Sequence, residues 1–382
     1  MQMIRTSLKF IRYDKPKSIG VIIGIVVSTF LIGQQVGILL FLMELMGGLV
    51  NNARPELAEV WVVDNMTKNA NNLATLDRRK TYEIMSIEGV ESSTPIFLGS
   101  GIAKFSNGKT SPVTLIGSEP PNFAGGPATE KIFRGSLEDL VHEYAISADY
   151  YDATTFDSPT SVGTELEING KKAIITVQTK NARGFGGSYF FTTIDKARAY
   201  SNSSSAAINA VAVKVADGYS PGEVVKNINR AIPGTRAWTA DDLRSSTVRF
   251  LLVSSNIGSS IGSLVIFAIL SGFFIIGLTL YSSAMDRIKD YATLKAIGAT
   301  NRHITWLLVT QSLIFSISGF LIAFGLLQGF KLGVSNSGLL LNFTLPIIGS
   351  LLLITLAISL GSTLFFAVRT IRKVEPATVF RN

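Results

Sequence analysis

The chain lacks several of the residues on which common functional sites are built. It has 382 residues but no cysteine and only two histidines, His142 and His303. The absence of cysteine excludes disulfides and thiolate metal sites, and two histidines leave little from which to build an imidazole site. Charged residues make up only 16% of the sequence, whereas 47% of it is hydrophobic. This composition indicates a membrane protein that carries one sizeable water-soluble domain.

Four long apolar segments divide the chain, at residues 19–46, 257–281, 304–327 and 345–368. A helix of about 20 apolar residues crosses the roughly 30 Å of a bilayer's hydrocarbon core, so each segment is long enough to span it. The residues between the first and second segments have the mixed polarity of a water-soluble domain. The sequence therefore predicts an α-helical membrane protein with four transmembrane helices and an α+β extracytoplasmic domain inserted between helices 1 and 2.

The predicted boundaries follow from these segments. They are a cytoplasmic amphipathic N-terminal helix at 1–17, transmembrane helix 1 at 18–47, the α+β domain at 48–245 with an insertion at roughly 120–205, transmembrane helix 2 with an extracytoplasmic extension at 246–282, a cytoplasmic coupling loop at 283–303, transmembrane helix 3 at 304–327, a short external loop at 328–344, transmembrane helix 4 at 345–368, and a cytoplasmic tail at 369–382. The N-terminal helix is basic and amphipathic, which predicts that it lies on membrane lipid.

The positive charge of the chain is concentrated beside the apolar segments. The two terminal tails and the loop 283–303 hold 13 basic and 4 acidic residues, whereas the domain between the first two spans holds 21 basic and 22 acidic ones. Basic residues are enriched in loops on the cytoplasmic side of membranes. We therefore expect both termini and the loop 283–303 in the cytoplasm. A nucleic-acid partner would need a basic face on the soluble domain, so none is predicted.

The segment 103–110 fits a relaxed Walker A pattern, but its context argues against a phosphate site. A phosphate loop needs a strand before it and a helix after it, so that backbone amides and a helix N-terminus point at the phosphate. Asn107-Gly108 is instead a hairpin signal, as is Asn169-Gly170 further along. No histidine stands in a serine–histidine–acid arrangement, and the carboxylates are scattered. We predict no catalytic residue, no metal site and no cofactor bound by this chain.

Two further features of the domain carry predictions. Asp241 is expected to cap a helix that continues without a break into the second span. Residues 184–191 are rich in glycine and aromatic residues. They are interpreted either as an ordinary packed loop or as a contact surface for a partner.

The first two spans contain small residues spaced by four. Gly33, Gln34 and Gly37 lie in the first span, and Gly258 and Gly262 lie at the start of the second. Such spacing permits close approach of helices, and a buried amide seeks a partner on another helix. Two interpretations stay open: packing within one subunit, or a seam formed by the first and second spans of a homodimer.

The coupling loop contains a short amphipathic helix. Its apolar residues at helical spacing are Ile288, Tyr291, Leu294 and Ile297. Some of them must pack against the membrane helices, so not all four can be anchors for a partner. Tyr291 and Leu294 lie nearest the middle of the helix, where interface hot spots concentrate, and are the expected central anchors. A glycine at 298 ends this helix, and a threonine at 300 caps the next. A helix of this kind either lies on lipid or docks into a groove of a cytoplasmic protein. The residues predicted to couple the loop to such a partner are Asp286, Arg287, Ile288, Asp290, Tyr291, Leu294, Lys295, Ile297 and Gly298.

This loop resembles that of the FtsX/MacB-like ABC transporter permeases. The resemblance lies in the segment DRIKDYATLKAIGAT at 286–300 and in the basic tail RKVEPATVFR at 372–381. The order of one span, a domain and three spans is also the family's. The segment EGVESSTPIFL at 88–98 is most similar to the DevC-type subfamily, whose members carry no fused ATPase. The sequence departs from the family where the loop's usual acidic pair is reduced to Asp286 and Asp290.

The resemblance implies a function and a location. It implies a permease of the bacterial inner (plasma) membrane that forms a homodimer and binds two copies of a separate ATPase, which alone would hold ATP and Mg. Hydrolysis would then move a MacB-like periplasmic domain and drive export with a membrane-fusion protein and an outer-membrane channel, a mode called mechanotransmission. Two other hypotheses are an FtsX-like permease that activates a periplasmic or cell-wall partner without transport, and a membrane-anchored ligand sensor.

Overall fold

The computed structural model describes Ser7, residues 15–204 and residues 206–368. The predicted N-terminal amphipathic helix lies outside the described residues except at Ser7 and 15–17, and the tail at 369–382 lies wholly outside them. Four described helices are long and apolar enough to cross a membrane: Ser18–Met46, Ile257–Asp286, Asn301–Ser335 and Leu345–Phe366. A sheet-rich α+β domain lies between the first and second of them along the chain, so the predicted fold class is confirmed.

The helices and strands are defined here in chain order. The helices are α1 (Lys15–Met46), α2 (Gly48–Asn51), α3 (Arg79–Met85), α4 (Asp152–Phe156), α5 (Ile194–Ser201), α6 (Pro221–Ala231), α7 (Ala240–Ser254), α8 (Ile257–Asp286), α9 (Ile288–Ala296), α10 (Asn301–Ser335) and α11 (Leu345–Ser362). The strands are β1 (Val60–Asp64), β2 (Leu76–Asp77), β3 (Val90–Phe105), β4 (Thr110–Ser118), β5 (Ile132–Arg134), β6 (Ala145–Asp149), β7 (Glu165–Ile168), β8 (Lys171–Thr179), β9 (Ser188–Thr193), β10 (Ala207–Ile208), β11 (Ala210–Val215) and β12 (Thr235–Thr239). Short 3-10 turns lie at Thr129–Lys131 and Leu137–Val141, and a π-helical segment, Thr363–Val368, continues α11.

The chain forms two compact units. The membrane unit comprises the residues up to Phe41, Ser259–Ser335 and the residues from Leu339 onward. The soluble unit comprises Leu42–Gly258 together with Asn336–Gly338.

The soluble unit is built on a ten-stranded sheet. Its main path runs β12-β1-β11-β3-β7-β8-β5, with β4 and β9 attached through β3 and with β6 attached to β8. The pairs β4–β9 and β6–β8 are parallel, and the others are antiparallel. The strands from 120–205 belong to this same sheet, because β7 pairs with β3 and β9 pairs with β4. The predicted insertion therefore extends the sheet and forms no separate body.

Both predicted hairpins are present. Gly108, at φ +79°, closes the turn from β3 to β4, and Asn169 and Gly170, at φ +50° and +77°, form the turn from β7 to β8. Positive φ at both central residues is the requirement of a type I′ turn, which Asn169-Gly170 satisfies, whereas in the first turn only Gly108 has positive φ. A strand follows Gly108, so the Walker-like segment lacks the helix that a phosphate loop requires.

The central strands are buried on both faces of the sheet. In β1, Val60 and Val62 pack into one hydrophobic core, while Trp61 and Val63 pack into the other. Successive side chains of a strand point to opposite faces, so a continuous apolar run such as this one marks a strand covered on both sides. Helices α5 and α6 contribute to the first core, through Ala197 and Ile228 respectively.

The junction before the second span differs from the prediction in two ways. Thr239, not Asp241, is the N-cap of α7: its hydroxyl accepts a hydrogen bond from the Asp242 backbone nitrogen at 3.1 Å. The helix also does not run on without a break, because it ends at Ser254 and α8 begins at Ile257. Asn256 lies between them at φ +57°, a left-handed conformation that asparagine adopts more readily than most residues.

Close contacts of small and hydroxylated residues hold the membrane unit together. A Cβ atom added at Gly319 would lie 2.6 Å from Ile25 Cγ2, and one added at Gly272 would lie 2.9 Å from Ser28 Cβ. The Thr29 and Thr355 hydroxyls are 3.1 Å apart, which joins α1 to α11. Lipid offers no hydrophobic drive for helix association, so tight packing and interhelical hydrogen bonds of this kind supply it.

Candidate coupling site

The loop between the second and third spans is a rigidly capped helix. The helix α8 ends at Asp286, Arg287 is the N-cap of α9, and α9 runs from Ile288 to Ala296. The N-cap position is one residue long, so little slack separates the two helices. A movement of α9 therefore also displaces the adjoining end of α8.

A Schellman turn ends α9. The Gly298 nitrogen donates to the Lys295 carbonyl at 3.0 Å, and the Ala299 nitrogen donates to the Leu294 carbonyl at 2.8 Å. Gly298 has φ +98°, the left-handed conformation that this motif requires after the C-cap. The Thr300 hydroxyl then accepts from the His303 nitrogen at 3.3 Å, so it caps α10 as the sequence predicted. The predicted positions of the stop and of the cap are both confirmed.

Tyr291 fixes the helix to the membrane unit. It is only 1% exposed and belongs to a hydrophobic cluster with Ala284 of α8, with residues of the first two turns of α10, and with Val368. Burial raises the pKa of Tyr291 to about 12, and the Gln311 side chain of α10 lines the same small cavity as the tyrosine. Gln311 was missed by the sequence analysis, although a lone amide in an apolar segment signals a polar contact between helices.

Packing around Tyr291 leaves little free space. The cavity that Tyr291 lines together with Ser18, Arg287, Gln311 and Thr363 measures about 10 Å³. That volume is at the lower limit of the roughly 10–15 Å³ that one water requires. The other residues lining it come from α1, α8, the N-cap of α9, α10 and the π-helical segment, so Tyr291 lies where α9 meets four other segments of the membrane unit.

The outer face of the loop is mostly polar, with one large apolar residue. Asp286, Lys289 and Asp290 are exposed, and Ile297 is 77% exposed. Residues 286–300 are all described, and among them Ile297 is the only large hydrophobic residue whose side chain is exposed. Large exposed apolar patches rimmed by polar residues mark protein-binding surfaces, whereas a single exposed apolar side chain such as Ile297 is common on protein surfaces.

The structure therefore divides the predicted coupling residues into two groups. Tyr291 faces inward, and Leu294 packs against its cluster while half-buried. The prediction that these two are the central anchors for a partner is wrong for Tyr291, because the side chain is already enclosed within the chain. Half-buried residues are Arg287, Ile288 and Lys295, and exposed ones are Asp286, Asp290, Ile297 and Gly298.

Comparison with known proteins bears on this part of the chain. Residues 262–376, which include the whole loop, match the family model of the FtsX-like permease C-terminal domain. The match covers less than half of the chain, and this segment is similar to the FtsX-like permease C-terminal domain. FtsX-like permeases are membrane components of ABC transporter complexes, in which a partner subunit is the ATPase. Together with the four candidate spans, the match places the chain among multi-pass membrane proteins.

Solved structures similar to part of the chain include the following two, whereas no curated protein matches it. The extracellular domain of the noncanonic ABC-type transporter YknZ from Gram-positive bacteria is 13% identical, covers 48% of this chain and 99% of its own, and has a TM-score of 0.36. The periplasmic region of MacB from Actinobacillus actinomycetemcomitans is 12% identical, covers 52% of this chain and 94% of its own, and has a TM-score of 0.38.

The glycine pairs singled out in the first and second spans have different surroundings. A Cβ atom at Gly33 would lie 2.5 Å from Leu327 Cδ1, and one at Gly37 would lie 3.2 Å from the Phe343 ring. Both glycines therefore face other segments of their own membrane unit, and Gln34 beside them is half-buried. This geometry supports the interpretation of these glycines as packing within one subunit.

The glycines at the start of the second span do not form such contacts. An added Cβ at Gly262 would meet nothing within 4 Å, and one at Gly258 would lie 2.7 Å from the Leu252 carbonyl oxygen near the helix break. The second span is also the least buried of the four described spans: 22% of the residues in its most apolar stretch are buried. Large side chains such as Ile266 and Phe267 are exposed along it.

Proposed function

We propose that this chain is the transmembrane subunit of an ABC transporter that converts ATP hydrolysis by a separate ATPase into movement of its extracytoplasmic domain. Two ATPase copies, holding ATP and Mg, would bind a homodimer of the permease. The observation that carries the proposal is the α9 helix, which follows α8 directly, ends in a Schellman turn, is fixed inward by Tyr291 and is followed by the exposed Ile297. Such an element can receive force from a partner without unfolding.

Force applied to α9 would reach two spans. The N-cap Arg287 connects it to α8, and the Tyr291 contact with Gln311 connects it to α10. Because close-packed interiors transmit displacement instead of absorbing it, a small rotation of α9 would tilt both helices. Export aided by a membrane-fusion protein and an outer-membrane channel, of the DevC kind, is the process that we propose this movement drives.

The binding surface for the ATPase is proposed to be the exposed end of the loop, not the middle of α9. Ile297→Asp should lower co-purification of the ATPase in mild detergent by about tenfold or more, as loss of an interface anchor typically does. Leu332→Asp is the matched control, since Leu332 is 72% exposed near the other end of α10. Normal co-purification by Ile297→Asp, or equal loss by both variants, would contradict the proposed surface.

The proteins recovered with the wild-type chain also decide the type of output. A membrane-fusion protein beside the ATPase would support export. A cell-wall hydrolase would instead favour the FtsX-like role without transport, and recovery of no ATPase at all would leave only the sensor hypothesis.

Orientation is proposed from the basic loops: both termini and the loop 283–303 in the cytoplasm, and the soluble unit outside. The chain has no native cysteine, so single cysteines report position without background. We expect Ser106→Cys, an exposed site in the soluble unit, to react with an impermeant thiol reagent on spheroplasts, and Asn301→Cys to react only after lysis. The opposite labelling pattern would reverse the orientation.

The homodimer seam is proposed to involve the second span at Gly262. Gly262→Leu adds a side chain into open space and should weaken dimerisation while leaving the subunit folded. Gly33→Leu should instead destabilise the subunit itself, because its Cβ position already overlaps Leu327. Crosslinking and light scattering in detergent separate the two effects, and an unchanged dimer in Gly262→Leu would exclude this seam.

A further inference from the structure

Two buried carboxylates lie at the end of β6 in the soluble unit. Asp149 is fully buried and Asp152 is 3% exposed. Asp149 is well satisfied: its Oδ2 accepts from the Thr179 hydroxyl at 3.1 Å and from the Ala182 nitrogen at 2.7 Å. Its Oδ1 accepts from the Tyr151 nitrogen at 3.1 Å and lies 3.8 Å from Arg183 Nε. The positive charge near this pair is thus directed at Asp149.

Asp152 is less well satisfied. Its Oδ2 has no hydrogen-bond partner among the residues described. Ser188 and Arg183 line the same cavity as this carboxyl group, and the charge of Arg183 acts on it. Arg183 is held elsewhere, however, because its Nη2 donates to the Gly338 carbonyl and its guanidinium lies 5.1 Å from the centre of the Tyr151 ring. Buried carboxylates are normally paired, so an open oxygen on a buried aspartate points to a missing partner.

The open carboxylate lines a cavity. Asp152, Arg183 and Ser188 form its polar part, Leu45 and Pro112 supply apolar surface, and the total volume is about 340 Å³. The glycine-rich segment 184–187 forms part of the wall. Gly184 packs directly onto the Tyr189 ring, where an added Cβ would overlap it, and Gly186 has φ +88°. This segment is therefore shaped around the cavity in a way that larger residues would prevent.

We propose that this cavity binds a ligand with a protonated primary amine on an unbranched aliphatic chain, its ammonium group against the Asp152 carboxylate and its chain along Leu45 and Pro112. The ammonium group is a compact charge with three donors, which suits a single open oxygen. A guanidinium would instead want two parallel acceptors, and Ca²⁺ would need six to eight oxygens. The sequence left two interpretations of the segment 184–191, a packed loop or a contact surface. In this proposal the segment forms part of the wall of a ligand site.

The test uses the purified full-length chain in detergent and n-pentylamine as the probe. We expect saturable binding of n-pentylamine by titration calorimetry at pH 8.5, with 1-pentanol at least tenfold weaker because it lacks the charge. Micelles without protein correct for partitioning of both compounds. Equal binding of the amine and the alcohol would overturn the proposal, since the cavity would then be only an apolar slot.

Variants locate the site. Asp152→Asn should lower the affinity at least tenfold, whereas Asp157→Asn, at an exposed left-handed position that asparagine tolerates, should bind as wild type does. Gly187→Leu is a second variant that keeps the carboxylate and fills the cavity, because an added Cβ there meets only the Pro112 carbonyl at 3.9 Å. Retained binding in either cavity variant would refute the site.

The same binding should depend on pH. Burial, and then the charge of Asp149, raise the pKa of Asp152 to about 7. The amine stays protonated from pH 5.5 to 8.5, so binding at pH 5.5 should be about thirtyfold weaker, as only the ionised carboxylate attracts it. The hydrogen-bonded Asp149, whose pKa burial also raises, faces the same region, together with Arg183 and Tyr151. Equal affinity at both pH values would contradict the role of Asp152.

Discussion

The structure changes what replacement of Tyr291 should do. As the central anchor for a partner, Tyr291 would tolerate substitution without loss of stability. As the buried contact of α9, it should not. Removal of a fully buried large aromatic side chain costs about 3–5 kcal/mol, so Tyr291→Ala should lower the free energy of unfolding by that amount.

Tyr291→Phe separates the two parts of the contact. It keeps the ring in its cluster and removes only the buried hydroxyl. The expected loss is about 1 kcal/mol, the usual net value of a hydrogen bond. Tyr291→Asp should be worse than alanine, because it places a charge in the cluster.

Ile297 provides the matched comparison on the same loop. Because it is 77% exposed, Ile297→Ala should change stability by no more than about 0.5 kcal/mol while still weakening the ATPase contact. Thermal and denaturant unfolding of the purified chain in detergent measures the first effect, and co-purification measures the second. A Tyr291→Ala protein that unfolds like wild type would refute the assignment of Tyr291 as a structural contact.

Three further predictions concern stability. Burial raises the pKa of Asp152 in the folded state, so its contribution to stability is complete below about pH 4 and is lost as the pH rises through 7. The free energy of unfolding of Asp152→Asn should therefore rise relative to that of wild type between pH 4 and 8, by up to about 4 kcal/mol. A constant difference between the two proteins across that range would argue against this role of Asp152. Gly298→Val forces a β-branched residue to φ +98° and should cost on the order of 1–3 kcal/mol and lower expression, whereas Ala296→Val, inside α9, should cost a few tenths; similar melting temperatures for the two would count against the Schellman turn. Thr239→Ala should lower stability by about 1 kcal/mol and Asp241→Ala by less, measured by chemical denaturation, and the reverse order would restore Asp241 as the cap.

Local chemistry carried most of what could be predicted about the elements themselves. The lengths of the apolar runs predicted four spans, because a helix must satisfy its own backbone in lipid and needs about 20 residues to cross it. The Asn-Gly pairs predicted both hairpins, and Gly298 predicted the end of α9, since each depends on a backbone conformation that few residue types adopt. The cap of α7 was assigned two residues late, because threonine and aspartate are both good N-caps and sequence spacing alone does not choose between them.

Burial was decided by tertiary structure. Four apolar residues recur at helical spacing in α9, and periodicity treats them alike, yet Tyr291 is enclosed and Ile297 is exposed. The difference comes from α10 and the π-helical segment, which lie beyond the loop in the chain and cover only one side of α9. The space beside Gly33 is likewise occupied by Leu327, which lies almost three hundred residues away in the sequence. The sequence shows which residues are apolar enough to be buried, but only the folded chain determines which other residues they contact.

The sequence by itself determined the class of molecule: four apolar spans, an α+β domain after the first of them, and a capped amphipathic loop of the kind found in FtsX-like permeases. It did so because segment length, turn chemistry and capping act between near neighbours. Only the tertiary structure decided which face of the loop is free and that Asp149, Asp152 and Arg183 meet beside a cavity. These arrangements depend on contacts between distant segments, whose free energy no local pattern records.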